Sequence, residues 1–313
     1  MKLNFYFEFP FWEPDAEDPR WYSNTTHLIS SGRLYRLCKE VHPEIEFKAI
    51  NSYFLTEQGR PGPKGNYGPA CKYSHFYLII ENPDTKKYFT ISYWDKLRGM
   101  CEGTFWDMEN CVEVFAALGI QDNEIDYRPA DIKYTPISCM SLHKDLEDKI
   151  TLLYDKPKIT PTNLFFKGGL YGIREYLASD PRFTIENNRV VPVDFIETIA
   201  PYSINIDING AAEISCRSLD IMGLRSALIR PKLSIQYHNE LIPDYHYASL
   251  RCDDLGNWKD VADAYVERFE GLKKNPEEVE FLATNGRQWY LENGTIDAHV
   301  KILKKVINFD KLK

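Results

Sequence analysis

Apolar and polar residues alternate over 3–9, and a period of two predicts a strand there. Helical spacing follows over 26–41, where Leu28, Leu34, Leu37 and Val41 carry the apolar face. Further strands are predicted at 45–50, 75–80 and 88–93. The last two flank Glu81-Asn82-Pro83-Asp84-Thr85, which has the residue chemistry of a tight turn. The pattern over 108–118 reads as a helix, 133–138 as a strand and 143–154 as a helix. Pro157 and Pro161 then break the pattern twice within 155–162, which sets a domain boundary. Beyond it, short apolar runs at 163–166, 183–185, 203–208, 227–229 and 247–250 alternate with helical stretches at 171–178, 193–199 and 214–224. Three longer helices close the chain at 258–272, 276–290 and 296–307. Pro276 stands where a first helical turn loses nothing by lacking an N–H. Alternating strands and helices make parallel βαβ units. The expected fold is therefore α/β, with two Rossmann-like doubly wound sheets in domains 1–155 and 156–313.

The chain has 313 residues, 43% hydrophobic and 14% aromatic, which is ample for a core in each domain. Its net charge of −8 argues against a protein that coats nucleic acid through a basic face. No apolar run is long enough to span a bilayer. The N-terminus lacks the long apolar core of a secretory signal. The seven cysteines have scattered spacing and form no Cys-x-x-Cys pair. Reduced thiols in a cytoplasm are expected, without a zinc site.

Candidate chemistry gathers where strands give way to helices, since open α/β sheets bind ligands beyond the carboxyl ends of their strands. Lys167-Gly168-Gly169 follows one strand, and Asn209-Gly210 follows another. Glycine there lets a ligand approach the backbone, and a helix N-terminus favours an anion. Glu213 and Ser215 are placed to cap the helix that follows. Arg217 and Asp220, three residues apart, share a face of that helix. The arginine fork suits phosphate oxygens, and the carboxylate suits sugar hydroxyls. Past the next strand, Tyr237-His238-Asn239-Glu240 adds a polar loop, from which Tyr237 and Asn239 are candidate contacts. In the first half, the stretch 58–69 holds four Gly and three Pro, so it is a loop. It presents Arg60, Lys64 and Tyr67, which suit a phosphate-bearing acceptor or a stacked sugar. Asp15 and Asp95 each fall just past a predicted strand, where a general base would stand.

Four signals occur in one order: Lys167-Gly168-Gly169, Asn209-Gly210, Ser215-x-Arg217-x-x-Asp220-x-x-Gly223, and Asn239 to Tyr247. In this the C-terminal half resembles glycosyltransferases of the GT-B type. The third signal is similar to the Ser-x-Arg-x-x-Glu-x-x-x-Gly pattern of exostosin-like and related transferases, with Asp220 in place of Glu and Gly223 one residue early. The resemblance implies two domains facing a cleft, with terminal helices packing back onto the first. It implies a nucleotide-sugar donor in domain 156–313, bound through Lys167, Gly168, Asn209, Gly210, Glu213, Arg217, Asp220, Tyr237 and Asn239. It implies a hydroxyl acceptor held by domain 1–155. No Asp-x-Asp triplet occurs, so a metal-independent enzyme without a cofactor is expected. Positive charge and helix dipoles must then stabilise the leaving group, with Arg174 and Arg230 as further candidates. The acceptor is expected to be a glycan. Hydroxymethylated bases in phage DNA are the alternative, and a non-catalytic sugar-binding protein on the same fold is a third reading.

Overall fold

The computed structural model describes residues 1–7, 39–51, 77–92, 110–116, 120–121, 132–137, 144–187, 192–209, 215–252 and 254–313. The chain divides into two compact units. The first comprises Met1–Leu142, Ile235–Asn239 and Ile296–Lys313, and the second His143–Ser234 and Glu240–Thr295. The α/β class expected from the sequence is the class observed.

The first unit is built on a six-stranded sheet of order β2-β1-β3-β4-β5-β7. Its strands are β1 (Lys2–Phe7), β2 (Glu46–Asn51), β3 (Tyr77–Glu81), β4 (Tyr88–Ser92), β5 (Cys111–Ala116) and β7 (Lys133–Pro136). All neighbours are parallel except at β3, which runs antiparallel to β1 and β4. The reversal follows from the tight turn between β3 and β4. The Asn82 side chain accepts from the Asp84 N–H, and Lys86 takes the left-handed conformation at φ 64°. A short strand, β6 (Ile120–Gln121), pairs antiparallel with β12 (Ile235–Gln236).

The helix expected over 108–118 is instead strand β5. Its sequence Cys-Val-Glu-Val-Phe-Ala is almost wholly buried along both faces. Valines favour an extended backbone, and an apolar run this short has no period that separates helix from buried strand. Leu3 and Phe5 from β1, Ile80 from β3, Phe89 and Ile91 from β4 and Phe115 from β5 form the core with residues of the last helix and C-terminal turn. That turn, Phe309–Leu312, is tied to the β3–β4 turn through the Leu312 carbonyl, which accepts from Asn82 at 2.9 Å and Thr85 at 2.6 Å.

The second unit carries the parallel pair β8 (Leu164–Lys167) and β9 (Phe183–Glu186), and the parallel sheet β10 (Ile204–Ile206), β11 (Ala227–Arg230), β13 (Ala248–Ser249). Helices α1 (Lys144–Leu153), α2 (Ile173–Ala178), α3 (Pro192–Ile199), α4 (Cys216–Gly223), α5 (Trp258–Lys273) and α6 (Pro276–Asn293) belong to it, and α7 (Ile296–Val306) to the first unit. All four β11 residues are buried, as a strand covered on both faces must be. The long helices start where their caps stand. Asn257 accepts from the Asp260 N–H and Asn275 from the Glu278 N–H, with Pro276 in the first turn. Among the described residues no helix is long and apolar enough to cross a membrane.

Candidate functional site

The carboxyl ends of β8, β10 and β11 converge on Asp207, the first residue past β10. Its side chain is buried and accepts from the hydroxyls of Ser215 (2.8 Å) and Ser218. Arg217 Nη1 donates to Asp207 Oδ1 at 3.1 Å, and Arg230 Nη1 lies 3.9 Å from Oδ2. Ser218 is shared, since its Oγ also accepts from Arg230 at 2.8 Å. The Tyr265 hydroxyl donates to the Asp207 carbonyl at 2.7 Å. Burial alone would push the Asp207 carboxyl up. Arg217, Arg230 and the two serine hydroxyls outweigh burial and hold it below the usual carboxylate range.

A third guanidinium stands behind the first two. Arg174 is only 4% exposed and donates to the carbonyls of Ile208 (2.7 Å) and Gly169 (3.3 Å). Its pKa is lowered by burial and by the charge of Arg217. Arg217 also donates to the Lys167 carbonyl at 3.2 Å, and its guanidinium stacks 4.4 Å from the Phe166 ring. Gly168 gives Arg217 its room at this spot: a Cβ there would lie 2.8 Å from Arg217 Nη2, and the guanidinium would have to shift. Three arginines thus surround one firmly ionised carboxylate. The Nε of Arg174 and of Arg217 is buried without a hydrogen-bond partner among the described residues. Arg217 keeps 17% of its side chain open. Among the described residues, guanidinium here exceeds ionised carboxylate, a balance that favours an anion.

Asp220 lies one turn deeper on α4, nearly buried. Burial pushes its carboxyl up to about 7, Arg217 pulls it down and Asp207 raises it again. Near neutral pH it is therefore only partly ionised and cancels only part of the arginine charge.

The structure brings Lys167, Gly168, Asn209 and Arg217 together. Arg217 pairs with Asp207, while Asp220 lies deeper on the same helix. Ser215 stands at the N-cap of α4, but its hydroxyl goes to Asp207 and makes no capping bond. The Lys167 ammonium is paired with Glu186 at 2.9 Å, so its carbonyl is what serves the cluster. The Asn209 side-chain oxygen accepts from Arg230 at 3.2 Å. Tyr237 and Asn239 lie in the short segment grouped with the first unit. Gly210, Glu213, Arg60, Lys64, Tyr67, Asp15 and Asp95 lie outside the described residues. Sequence reasoning missed Asp207. Its signal is an acid just past the strand Ile204-Asn205-Ile206, with Ser215, Arg217 and Ser218 a short way on. Among the described residues no group of three His, Cys, Asp or Glu side chains is placed to hold a metal ion.

No family model matches the chain, and no characterised protein sequence matches it. Among solved structures it is similar to a glycosyltransferase from Rickettsia africae ESF-5, at 9% identity and a TM-score of 0.37 over 64% of each chain. It is similar to TarM at 9% identity and a TM-score of 0.38, covering 76% of this chain and 64% of that one. It is also similar to the pneumococcal O-GlcNAc transferase GtfA, solved in complex with UDP and GlcNAc, at 12% identity and a TM-score of 0.37, covering 74% of this chain and 64% of that one. The chain spans 64% of the length of each of these proteins. TM-scores this low establish no shared fold, so the functional reading stands on the residues of this chain.

Proposed function

We propose that the chain is a glycosyltransferase whose second unit holds the diphosphate of a nucleotide-sugar donor at the Asp207 cluster. The observation that carries this reading is the surplus of buried guanidinium at the carboxyl ends of β8, β10 and β11, where Arg174, Arg217 and Arg230 face one ionised carboxylate. A diphosphate would complete the balance of charge and occupy the open edge of Arg217. The motif order from Lys167 to Tyr247, which resembles nucleotide-sugar transferases, supports a sugar as the transferred group.

In this reading Asp207 and its serines hold Arg217 and Arg230 before the ligand arrives, so little reorganisation is needed as charge develops on the leaving phosphate. Arginines take the part a divalent ion plays elsewhere. Asp220 offers its carboxyl to a donor hydroxyl, and Asp15 or Asp95 serves as the base beside the acceptor hydroxyl. A glycan remains the proposed acceptor.

The test is a thermal-shift panel of UDP, GDP, CDP, TDP and inorganic pyrophosphate, on wild type and on Arg217→Ala. A ligand at about 100 times its Kd adds about 2.7 kcal/mol of stability. For domains of this size that is roughly 5–10 °C. We expect such a shift for at least one diphosphate, and its loss in Arg217→Ala while circular dichroism is unchanged. The same variant should lose sugar transfer from the donor that the panel identifies. No shift with any diphosphate would overturn the reading.

A further inference from the structure

We propose that Tyr171 is the platform on which the base of a nucleoside diphosphate stacks at this site. The inference rests on the donor-site reading above and extends it from the phosphates to the nucleoside.

The loop between β8 and α2 carries Gly168, Gly169, Leu170, Tyr171 and Gly172. Its Tyr171 is 48% exposed. A single exposed aromatic is ordinary on a protein surface; the footing of this one is not. The guanidinium carbon of Arg174 lies 4.5 Å from the Tyr171 ring and 4.8 Å from the Phe166 ring. Arg217 lies 4.4 Å from Phe166 and 5.3 Å from Phe195. Rings and cations therefore alternate from the exposed Tyr171 inward to the arginine that faces the proposed diphosphate. Cations against aromatic faces stabilise such a ladder, more so where water is excluded.

The ladder is immobile at its base. Arg174 is buried and bonded to two backbone carbonyls, so it cannot follow a mobile ring. The Arg174 N–H donates to the Tyr171 carbonyl at 3.2 Å, which closes the turn. Gly172 holds φ 56° between them, a conformation that favours glycine. A Cβ on Gly169 would lie 3.7 Å from the Tyr171 ring, so the ring also rests against that glycine. An aromatic ring fixed on a buried cation, with half its surface open, is organised before any ligand binds. No more than three steps of 4.4–4.8 Å separate it from Arg217, a reach that an extended nucleoside diphosphate bridges. Stacking tolerates any base, because every base has a π-face.

The experiment measures Kd for inorganic pyrophosphate, UDP, GDP and one UDP-sugar on wild type, Tyr171→Ala and Tyr171→Phe. Tyr171→Ala should weaken UDP and GDP by about ten-fold and leave pyrophosphate unchanged. Tyr171→Phe should bind every probe like wild type, since the ring is what matters. Equal weakening of pyrophosphate and nucleotides would assign Tyr171 a merely structural role and overturn the inference. Weakening of the UDP-sugar alone would place the sugar on the ring and overturn it as well. Unchanged nucleotide binding in Tyr171→Ala would sink this inference and spare the donor site. Wild type binding neither pyrophosphate nor nucleotide would remove both.

Discussion

Each unit buries one carboxylate as a hub, and the two hubs are built differently. Glu113 in β5 is fully buried and accepts from Lys133 at 2.7 Å, from Lys311 at 2.6 Å and from Thr135. Its lysines reach in from the surface, 62% and 38% exposed. They link β5 to β7 and to the C-terminal turn, with the rest of each ammonium open to solvent. Asp207 in the second unit is met by arginines that are 17% and 1% exposed. A guanidinium is a rigid planar fork that cannot turn its spare N–H groups to solvent. Both carboxyls sit below their ordinary range, because their partners overcome the cost of burial. One hub closes a structure with charge drawn from solvent. The other gathers, among the described residues, more guanidinium than ionised carboxylate, the balance on which the proposed anion site rests.

The largest way to break that contrast is to delete each hub. Asp207→Ala removes the buried carboxylate that Arg217 and Arg230 both face. Removing one partner of a buried ion pair costs about 3–5 kcal/mol. Glu113→Ala frees two lysines that can swing into water, so its cost should be clearly smaller. Urea unfolding of the two variants measures the difference. Equal costs would mean that the two hubs are energetically alike, and that burial of the arginines has no special consequence.

A second carboxyl beside Arg217 sharpens the comparison through pH. Burial raises Asp220 to about 7, Arg217 opposes this and Asp207 reinforces it. A carboxyl whose folded pKa is raised contributes stability that is fully present below its unfolded value. That contribution falls as pH rises and is lost once pH passes about 7. Asp207 and Glu113, whose pKa values are depressed, contribute in the opposite sense. Their stability is present above the unfolded value and is lost as pH falls. Subtracting the stability of Asp220→Asn from that of wild type isolates the one group. The difference should fall between about pH 4 and 7, by at most about 1.4 kcal/mol per pH unit. A flat difference would mean that Asp220 is ionised and paired, as Asp207 is.

Most elements of the second unit were legible in the sequence, because Gly, Pro and Asn punctuate short apolar runs there. Pro276 announces the start of α6, and the apolar run from Ala227 announces β11. Strand β5 was not legible, since a six-residue apolar run holds too few turns to reveal a period. At the site, the sequence singled out Arg217 but not its ion-pair partner. A spacing of three set Asp220 on the same helix face. The true partner stands ten residues upstream at the end of β10. Arg230 meets Ser218 and Asn209 across twelve and twenty-one residues, pairings that only the fold creates. Local periodicity places residues on faces. It does not say which strand ends will converge.

Gly168→Ala makes the finest cut between the two roles of the Asp207 hub, holding the fold and presenting charge. The new Cβ would lie 2.8 Å from Arg217 Nη2 and 3.2 Å from the Phe166 ring. The nearest atom is the tip of a flexible side chain, so the guanidinium can give way while the backbone stays. Arg217 would then shift from the Lys167 carbonyl and from the face of Phe166, with Asp207 still satisfied by Ser215, Ser218 and Arg230. Stability should change by less than about 1 kcal/mol, as for substitutions that leave the buried network intact. Diphosphate binding should weaken by about ten-fold, the worth of one misplaced hydrogen bond to a charged group. The matching change in the first unit, Lys133→Ala at the edge of the Glu113 hub, should leave diphosphate binding untouched. Unfolding curves and Kd measured on the two variants decide the matter. If Gly168→Ala loses stability and keeps its affinity, the arginines serve the fold as the lysines do, and the contrast between the two hubs dissolves.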